Sequence, residues 1–232
     1  MAQDESAVLA ARIARVRQNV AEAAIAAGRS PEAITIVAVS KTVERPVVDA
    51  AAILGMRHFG ENRVQDAAQK FADPLPHTCQ LHLIGHLQSN KAKRAVSLFD
   101  VIESVDRLSL IEAIETEAER QGKRLPVLLQ VNVAHEAQKS GCSPDEAATL
   151  MRRLAASHWL EPRGLMTMAP LVDDPEHVRP VFAGLRHLRD SLQMEHLDVD
   201  LATLSMGMSN DYAVAISEGA TSVRIGRAIF GA

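Results

Sequence analysis

The positions of apolar and polar residues divide the chain into short apolar runs that alternate with longer amphipathic stretches. Apolar runs of about four to eight residues predict buried strands, and apolar residues spaced three or four apart predict helices. The predicted strands cover eight segments: Ile34–Val39, Arg57–Gly60, Gln80–Ile84, Val101–Ser104, Val127–Val133, Glu161–Met166, Leu201–Ser205 and Ser222–Ile225. The predicted helices between them cover residues 45–55, 62–72, 89–98, 107–121, 144–157, 176–195 and 209–218.

This alternation of strands and helices predicts parallel strands joined by helical crossovers. Eight such units in roughly 250 residues are typical of a (β/α)8 barrel, whereas a doubly wound open sheet, the competing fold, has fewer strands. A further amphipathic helix over residues 6–27 precedes the first strand and is closed by Gly28. We therefore expect an α/β chain that forms a single (β/α)8 TIM barrel domain over residues 1–232, with an extra N-terminal helix.

Composition and charge exclude several classes of protein. The chain is 47% hydrophobic and 23% charged, with a net charge of -4, which is ordinary for a globular protein and does not favour binding to nucleic acid or to an acidic membrane. Cys79 and Cys142 are far apart and form no CxxC pair, which argues against a zinc site or a disulfide framework. The polar N-terminus resembles no signal peptide, and no apolar run reaches transmembrane length, so we expect a cytoplasmic protein.

Lys41 stands two residues after the end of the first predicted strand, and in such a barrel the active residues follow the strands at one common face. An ammonium group is costly to desolvate, and a desolvated lysine is the usual nucleophile that forms a Schiff base. The other interpretation is a lysine that extends its ammonium group into solvent. Taken alone, the position of Lys41 favours this second interpretation.

The segments after the seventh and eighth predicted strands are typical of phosphate binding. Ser205-Met206-Gly207-Met208-Ser209 follows strand seven, and Gly226-Arg227 follows strand eight. Loops at these two strands often hold a phosphate in this fold, because glycine lets the backbone approach an anion while N–H groups and hydroxyls donate to it. Two such segments together with a lysine after strand one strengthen the Schiff-base interpretation.

A lysine that forms a Schiff base near a phosphate site indicates pyridoxal 5'-phosphate (PLP) as cofactor. PLP also needs an Asp or Arg partner for its ring nitrogen, and Arg224 lies two residues before Gly226, on the same face of the last strand. An arginine disfavours a protonated ring nitrogen because adjacent cations repel. The cofactor is then a weaker electron sink, which suits racemisation or simple carriage better than transamination.

Other polar residues near the strand ends have ordinary structural interpretations. We expect Glu61, Ser89 and Asn210 to cap helices. We expect His82 and His86 to be hydrogen-bonded scaffold residues, because no carboxylate or thiol at a suitable spacing completes a metal site with them. We therefore predict no metal site.

Gln130 and Asn132 lie two residues apart in the fifth predicted strand. Side chains at this spacing share one face of a strand, so both are expected to point into the barrel or its mouth. A hydrogen-bonded polar layer in the barrel core is the alternative to a role in binding.

Six segments, in order along essentially the whole chain, resemble the pyridoxal phosphate homeostasis proteins (the YggS/PROSC family). They are Val37-Ala38-Val39-Ser40-Lys41-Thr42 and residues 59–65, 82–91, 164–168, 205–211 and 223–231. The resemblance implies a barrel similar to the N-terminal domain of alanine racemase, with PLP held as a Schiff base on Lys41. It implies eight cofactor-binding residues: Lys41, Asn62, Ser205, Gly207, Ser209, Arg224, Gly226 and Arg227.

Within this resemblance, Arg224 lies at the pyridine nitrogen, and Ser209, Gly226 and Arg227 surround the phosphate. Asn62 matches the family's Gly-Glu-Asn motif beside the cofactor, and Ser205 and Gly207 belong to the phosphate-side loop. Two positions depart from the family's usual residues: Arg63 stands where Tyr is common, and Arg227 where Thr is common. Whether these two arginines touch the cofactor is left open by the sequence.

The sequence favours a carrier over a racemase. Alanine racemase uses a second base, a tyrosine from a C-terminal domain of its dimer partner. This chain ends at Ala232, so we expect that domain to be absent, and its sole tyrosine, Tyr212, is expected to be a packing residue. We expect a monomer that supplies PLP to apo-PLP enzymes. The alternatives are a one-base amino-acid racemase or related α-carbon enzyme, and a PLP-free phosphosugar-binding barrel with Lys41 as an aldolase lysine.

Overall fold

Eight parallel strands close into a barrel in chain order, as the alternating pattern predicts. The computed structural model describes residues 3–136, 138–195 and 199–231. The strands are β1 Thr35–Val39, β2 His58–Glu61, β3 Gln80–Leu83, β4 Val101–Val105, β5 Leu125–Gln130, β6 Leu160–Met166, β7 Thr203–Met208 and β8 Ser222–Ile225. The α/β class and the (β/α)8 TIM barrel are therefore confirmed.

The helices surround the strands. They are α1 Gln3–Ala26, α2 Arg45–Ile53, α3 Val64–Lys70, α4 Ala92–Leu98, α5 Leu108–Gln121, α6 Pro144–Ala155, α7 Arg179–Met194, α8 Tyr212–Ser217 and α9 Arg227–Phe230. Short 3-10 turns at Pro31–Ala33, Ser89–Lys91 and Pro175–Val178 precede β1, α4 and α7. No helix in these described ranges is both long and apolar enough to cross a membrane.

Helix α1 is the predicted extra helix, and it packs beside the place where the barrel closes. Its apolar face is buried at Leu9, Ile13, Val16, Val20 and Ala24. The Nη1 of Arg12 donates to the carbonyl of Phe230 at 3.1 Å. Just beyond the helix, the Nη1 of Arg29 donates to the carbonyls of Ile216 and Ala220 at 2.9 and 2.6 Å. The N-terminal segment therefore holds the last two helices of the chain.

The predicted fifth strand ends earlier than its apolar pattern suggests. Residue 131 makes a single bridge to Cys142 instead of continuing the ladder. Asn132 then closes a turn: its Nδ2 donates to the carbonyl of Glu136 at 2.8 Å, and its Oδ1 accepts from the N–H of Glu136 at 3.2 Å. The prediction that Gln130 and Asn132 share a strand face is therefore wrong, because Asn132 lies in the turn.

The barrel interior contains polar as well as apolar side chains. His82, Glu103, Gln130, Ser205, Ser222 and Arg224 are all buried strand residues. A hydrogen bond joins Ser205 on β7 to Glu103 on β4, strands that are not neighbours in the barrel, so it crosses the interior. Buried polar groups must be hydrogen-bonded to be tolerated, and these contacts govern the geometry of the site.

Candidate functional site

A cavity of about 440 Å³ opens where the strands end at their carboxyl termini, the face at which barrels of this type place their sites. Six of the eight sequence-predicted residues line it: Lys41, Asn62, Ser209, Arg224, Gly226 and Arg227. They come from the segments that follow β1, β2, β7 and β8, and from β8 itself. The fold thus brings together residues that lie near the two ends of the barrel's sequence, after the first strand and after the last.

The other two predicted residues, Ser205 and Gly207, lie behind the cavity wall. Ser205 is fully buried and accepts a hydrogen bond from Arg224 at 2.6 Å. Gly207 has φ +94°, and a Cβ there would lie 2.6 Å from the Cβ of Ala215. Gly207 is therefore required for the close packing of β7 against α8.

The backbone beside Lys41 is fixed by a buried ion pair, while Lys41 itself is exposed and lines the cavity. The hydroxyl of Ser40 donates to Oε1 of Glu61 at 2.7 Å. The Nζ of Lys70 donates to the same oxygen at 2.8 Å and to the carbonyl of Ser40 at 2.6 Å. An ion pair with two further hydrogen bonds holds its backbone more firmly than a loop alone. The exposed side chain of Lys41 thus extends from a backbone that these contacts fix.

The helix-cap predictions for Glu61, Ser89 and Asn210 are wrong. The residues at the N-cap positions are Arg63 for α3, Gln88 for the turn before α4, and Asp211 for α8. Glu61 belongs to β2 and is buried in the ion pair with Lys70. Ser89 accepts from Arg107 at 3.4 Å, and Asn210 accepts from Arg227 at 3.5 Å. Each side chain is engaged by a tertiary contact that local sequence does not encode.

Arg224 presents a fixed guanidinium to the cavity and is 3% exposed. Besides its bond to Ser205, its Nη2 donates to the carbonyl of Thr167 at 2.7 Å. Burial lowers the pKa of Arg224, and the charges of Glu103 and Asp211 oppose that shift. Asp211 also lines the cavity, and burial raises its pKa. Arg224 is therefore held in one orientation by two acceptors.

The two histidines that the sequence assigns to the scaffold differ in environment. His82 is buried, and its Nδ1 lies 2.7 Å from Oε1 of Glu103, which confirms its scaffold assignment. His86 lines the cavity, its side chain is 47% exposed, and its Nδ1 lies 3.7 Å from a carboxylate oxygen of Asp106. His86 is thus available to a ligand as well as to its neighbour.

The cavity also contains residues that the sequence analysis did not assign to the cofactor. Ser140, Met168 and Asp211 line it from the loops after β5, β6 and β7, together with Gln130 from the end of β5. The Nε2 of Gln130 donates to the carbonyl of Ser140 at 3.0 Å, so the loop after β5 is tied to the strand end. Of these four residues, only Gln130 could be suggested by the sequence, because it lies near a strand end. The paths of the loops that carry the other three cannot be predicted from the sequence.

The side chains that line the cavity suit an anionic organic molecule with an electrophilic carbon. Lys41 offers a primary amine, Arg224 and Arg227 offer guanidinium groups, and Ser209 and Asn62 offer a hydroxyl and an amide. A volume of about 440 Å³ lies within the range of small-molecule sites. The fold and the site therefore define a (β/α)8 barrel protein with a small-ligand site at the carboxyl ends of its strands.

Comparison with known sequences gives the family. The family model described as alanine racemase, N-terminal domain, matches residues 12–232. A pyridoxal phosphate homeostasis protein of Pseudomonas aeruginosa is 41% identical over 224 residues, which cover 97% of this chain and 95% of that protein. The chain therefore belongs to the alanine racemase N-terminal domain family and, within it, to the pyridoxal phosphate homeostasis proteins.

Solved structures agree with this assignment. A protein described as unknown from Bifidobacterium adolescentis has a TM-score of 0.93 and 35% identity, covering 99% of this chain and 97% of its own. PipY of Synechococcus elongatus PCC7942, solved with PLP bound, has a TM-score of 0.84 and 36% identity, covering 96% of this chain and all of its own. The similarity extends over the whole barrel.

Proposed function

We propose that this chain is a PLP-binding protein of intracellular PLP homeostasis, which holds PLP as a Schiff base on Lys41. The observation that carries the proposal is that Lys41 and Arg224 line one cavity together with Ser209, Gly226 and Arg227. The names of its relatives and the PLP-bound structure of PipY support the choice of cofactor.

Lys41 and Arg224 have distinct roles in this proposal. PLP supplies an aldehyde that condenses with a primary amine, and Lys41 is the exposed amine in the cavity. Arg224 would donate to the ring nitrogen of PLP and would keep that nitrogen unprotonated, since a proton there would face an adjacent cation. The bonds from Arg224 to Ser205 and Thr167 fix the guanidinium before any ligand arrives.

The phosphate is assigned to the segments after β7 and β8. Ser209 contributes a hydroxyl and Arg227 a guanidinium, and both line the cavity. A Cβ at Gly226 would lie 3.1 Å from the carbonyl of Val39, so glycine lets the two strand ends approach closely. We assign Arg227, but not Arg63, to the cofactor, because Arg227 lines the cavity and Arg63 stands at the N-cap of α3.

We prefer a carrier role for this protein to catalytic turnover of an amino acid. A two-base racemase needs a second base that faces the lysine across the substrate. Tyr212 is the first residue of α8 and packs partly buried against the core, outside the cavity lining. We propose that the protein releases PLP to apo-PLP enzymes, which act as its acceptors.

An absorbance titration tests the cofactor assignment. Added PLP is expected to give the near-visible band of a Schiff base with the wild-type protein and with Lys93→Ala, a variant of an exposed lysine on α4. Lys41→Ala is expected to lose the band. Absence of a band in the wild-type protein, or an equal band in Lys41→Ala, would rule out the assignment.

Two further assays separate a carrier from an enzyme. Exchange of amino-acid α-protons in deuterated water at enzymatic rates, lost in Lys41→Ala, would favour the one-base racemase over the carrier.

Transfer of PLP from the loaded protein to an apo-PLP enzyme should be faster than transfer from free PLP at the same concentration. Equal rates would contradict the carrier role.

We further propose that the protein is a cytoplasmic monomer of one domain. Among the described residues, the large exposed apolar side chains are scattered over five segments: Val8 and Ile25 far apart on α1, Ile53 on α2, Leu108 on α5, Leu171 after β6, and Met194 on α7. Scattered apolar residues are ordinary on a monomer surface. Light scattering during gel filtration should give a mass near 25.1 kDa, and twice that mass would contradict the monomer.

A further inference from the structure

A continuous chain of hydrogen bonds crosses the interior of the barrel from the cofactor cavity to its opposite end. Its members come from β8, β7, β4, β3 and β2 in turn: Arg224, Ser205, Glu103, His82 and His58. Successive donor–acceptor distances are 2.6 Å from Arg224 to Ser205, 2.6 Å from Ser205 to Glu103, 2.7 Å from His82 to Glu103, and 3.0 Å from His58 to His82. We call these five residues the cross-barrel chain.

The two ends of the cross-barrel chain lie in different cavities. Arg224 lines the cofactor cavity. Glu103, His82 and His58 line a second cavity, of about 530 Å³, among the amino-terminal ends of the strands. The chain therefore connects the floor of the cofactor cavity with the other end of the barrel.

The positions of the protons in the cross-barrel chain follow from its partners. Arg224 has no acceptor, so it donates to Ser205, and the single proton of Ser205 then goes to Glu103. An ionised Glu103 accepts at both oxygens, which requires Nδ1–H on His82. In a neutral His82 ring, Nε2 is then the acceptor for Nδ1–H of His58. Every donor in the chain thus points towards Glu103.

Glu103 is the fixed negative charge in this part of the barrel. It is 1% exposed, and burial alone would raise its pKa. The hydrogen bond from His82, the charge of His82 where that ring is protonated, the charge of Arg224 and the hydrogen bond from Ser205 together lower it. Within the chain, His82 and His58 lie beside Glu103. The other charged and titratable groups that line the two cavities are Lys41, His86, Asp211 and Arg227 with Arg224, and Arg163 with Glu103, His82 and His58. The buried Arg224 needs a counter-ion such as Glu103, because an unpaired charge in a protein interior is very unfavourable.

We propose that Glu103, oriented by His82 and His58, is a positioning residue for the cofactor: it holds Arg224 through Ser205 and sets the electrostatic potential at the cofactor. This role rests on the proposed binding of PLP. Without Glu103, the potential at the cavity becomes more positive, and a protonated Schiff base becomes less favourable. The pH midpoint of the Schiff-base absorbance should then fall.

Glu103→Gln separates this electrostatic role from a purely structural one. Glutamine has nearly the same shape, accepts from Ser205 with its oxygen, and donates to His82 with its nitrogen. His82 and His58 then exchange tautomers, and each hydrogen bond of the chain is kept. The substitution therefore removes the charge and leaves the geometry.

The test is a pH titration of the PLP-loaded wild-type protein, Glu103→Gln and Glu218→Gln. Glu218 is the matched control, because it pairs with Arg179 and Arg186 of α7 in the outer layer of helices. The midpoint in Glu103→Gln should fall by about half a pH unit or more, while that of Glu218→Gln should match the wild type. Equal midpoints for all three proteins would overturn the role of Glu103, whereas absence of a band in the wild type would overturn PLP binding itself.

A second measurement needs neither the variant nor the cofactor. Nitrogen-15 NMR of the histidine rings in the wild-type protein at neutral pH should show His82 neutral, with its proton on Nδ1. A proton on Nε2 of His82, alone or in an imidazolium, would overturn the arrangement, because Glu103 would then lack its donor or be neutralised by His82 in place of Arg224.

Discussion

At the scale of single residues, burial in the barrel interior shifts the pKa of titratable side chains. Burial and the neighbouring His82 lower the pKa of His58 to about 4, although the charge of Glu103 opposes the shift. His58 is therefore neutral in the folded protein over a pH range in which an exposed histidine is already protonated.

This depressed pKa predicts a loss of stability in mild acid. Between about pH 6.5 and about pH 4 the unfolded chain binds a proton at His58 that the folded protein does not, so the contribution of His58 to stability is full above pH 6.5 and falls as the pH decreases. Thermal unfolding should show that His58→Asn, which keeps an N–H donor, loses less Tm between about pH 7 and about pH 5 than the wild type. His177→Asn, at an exposed histidine, is the control and should behave as the wild type. An identical pH dependence in wild type and His58→Asn would contradict the assignment.

Individual site residues differ in how far the sequence predicts them. Lys41, Arg224 and Gly226 follow from their positions at strand ends, because the fold carries all such positions to one face. Glu103 and Glu61 do not, since their partners are distant in the chain: Ser205 lies 102 residues from Glu103. A local pattern contains no information about which polar groups will meet across the barrel.

At the scale of elements, the apolar pattern predicts all eight strands and misplaces mainly their ends. The predicted strand 201–205 is observed as Thr203–Met208, and the predicted strand 127–133 as Leu125–Gln130. The ladder with neighbouring strands decides where pairing begins and ends, and irregular register occurs in the pairs β4–β5, β5–β6 and β7–β8. These register shifts depend on how neighbouring strands pair in the folded barrel, and they do not alter the apolar periodicity of the sequence.

Helix α1 offers a matched pair of isoleucines for a test of its packing. Ile13 is 2% exposed, whereas Ile25 on the same helix is 65% exposed. Ile13→Ala should lower the free energy of unfolding by about 2–4 kcal/mol, because it leaves a cavity in a packed core. Ile25→Ala should change it by less than about 0.5 kcal/mol. Urea denaturation measures both, and equal losses would mean that α1 does not pack on the barrel as described.

At the scale of the whole molecule, the two ends of the described chain contact each other. β8 pairs with β1 along four residues, and Arg12 of α1 donates to the carbonyl of Phe230 in α9. The pairing of β1 with β8 therefore closes the barrel, and α1 packs on the last helix of the described chain. This arrangement supports the proposal of one domain over residues 1–232.

One cooperative unfolding transition is expected for such a domain. Far-ultraviolet and near-ultraviolet circular dichroism should give the same midpoint in urea, and calorimetric and van't Hoff enthalpies should agree. PLP should raise the midpoint for the wild type and less for Lys41→Ala, since a ligand that binds the folded state stabilises it. Two separate transitions would contradict a single domain.

The closed order of the strands also bears on aggregation. Each strand has a hydrogen-bonded neighbour on both sides, so the native sheet presents no unpaired edge on which a second chain can add a strand. Edges arise only when two neighbouring strands separate, and α1 packs beside the junction of β8 and β1, against α8 and α9. Dissociation of α1 would therefore uncover this junction, and separation of β8 from β1 there would create edges open to intermolecular β-pairing.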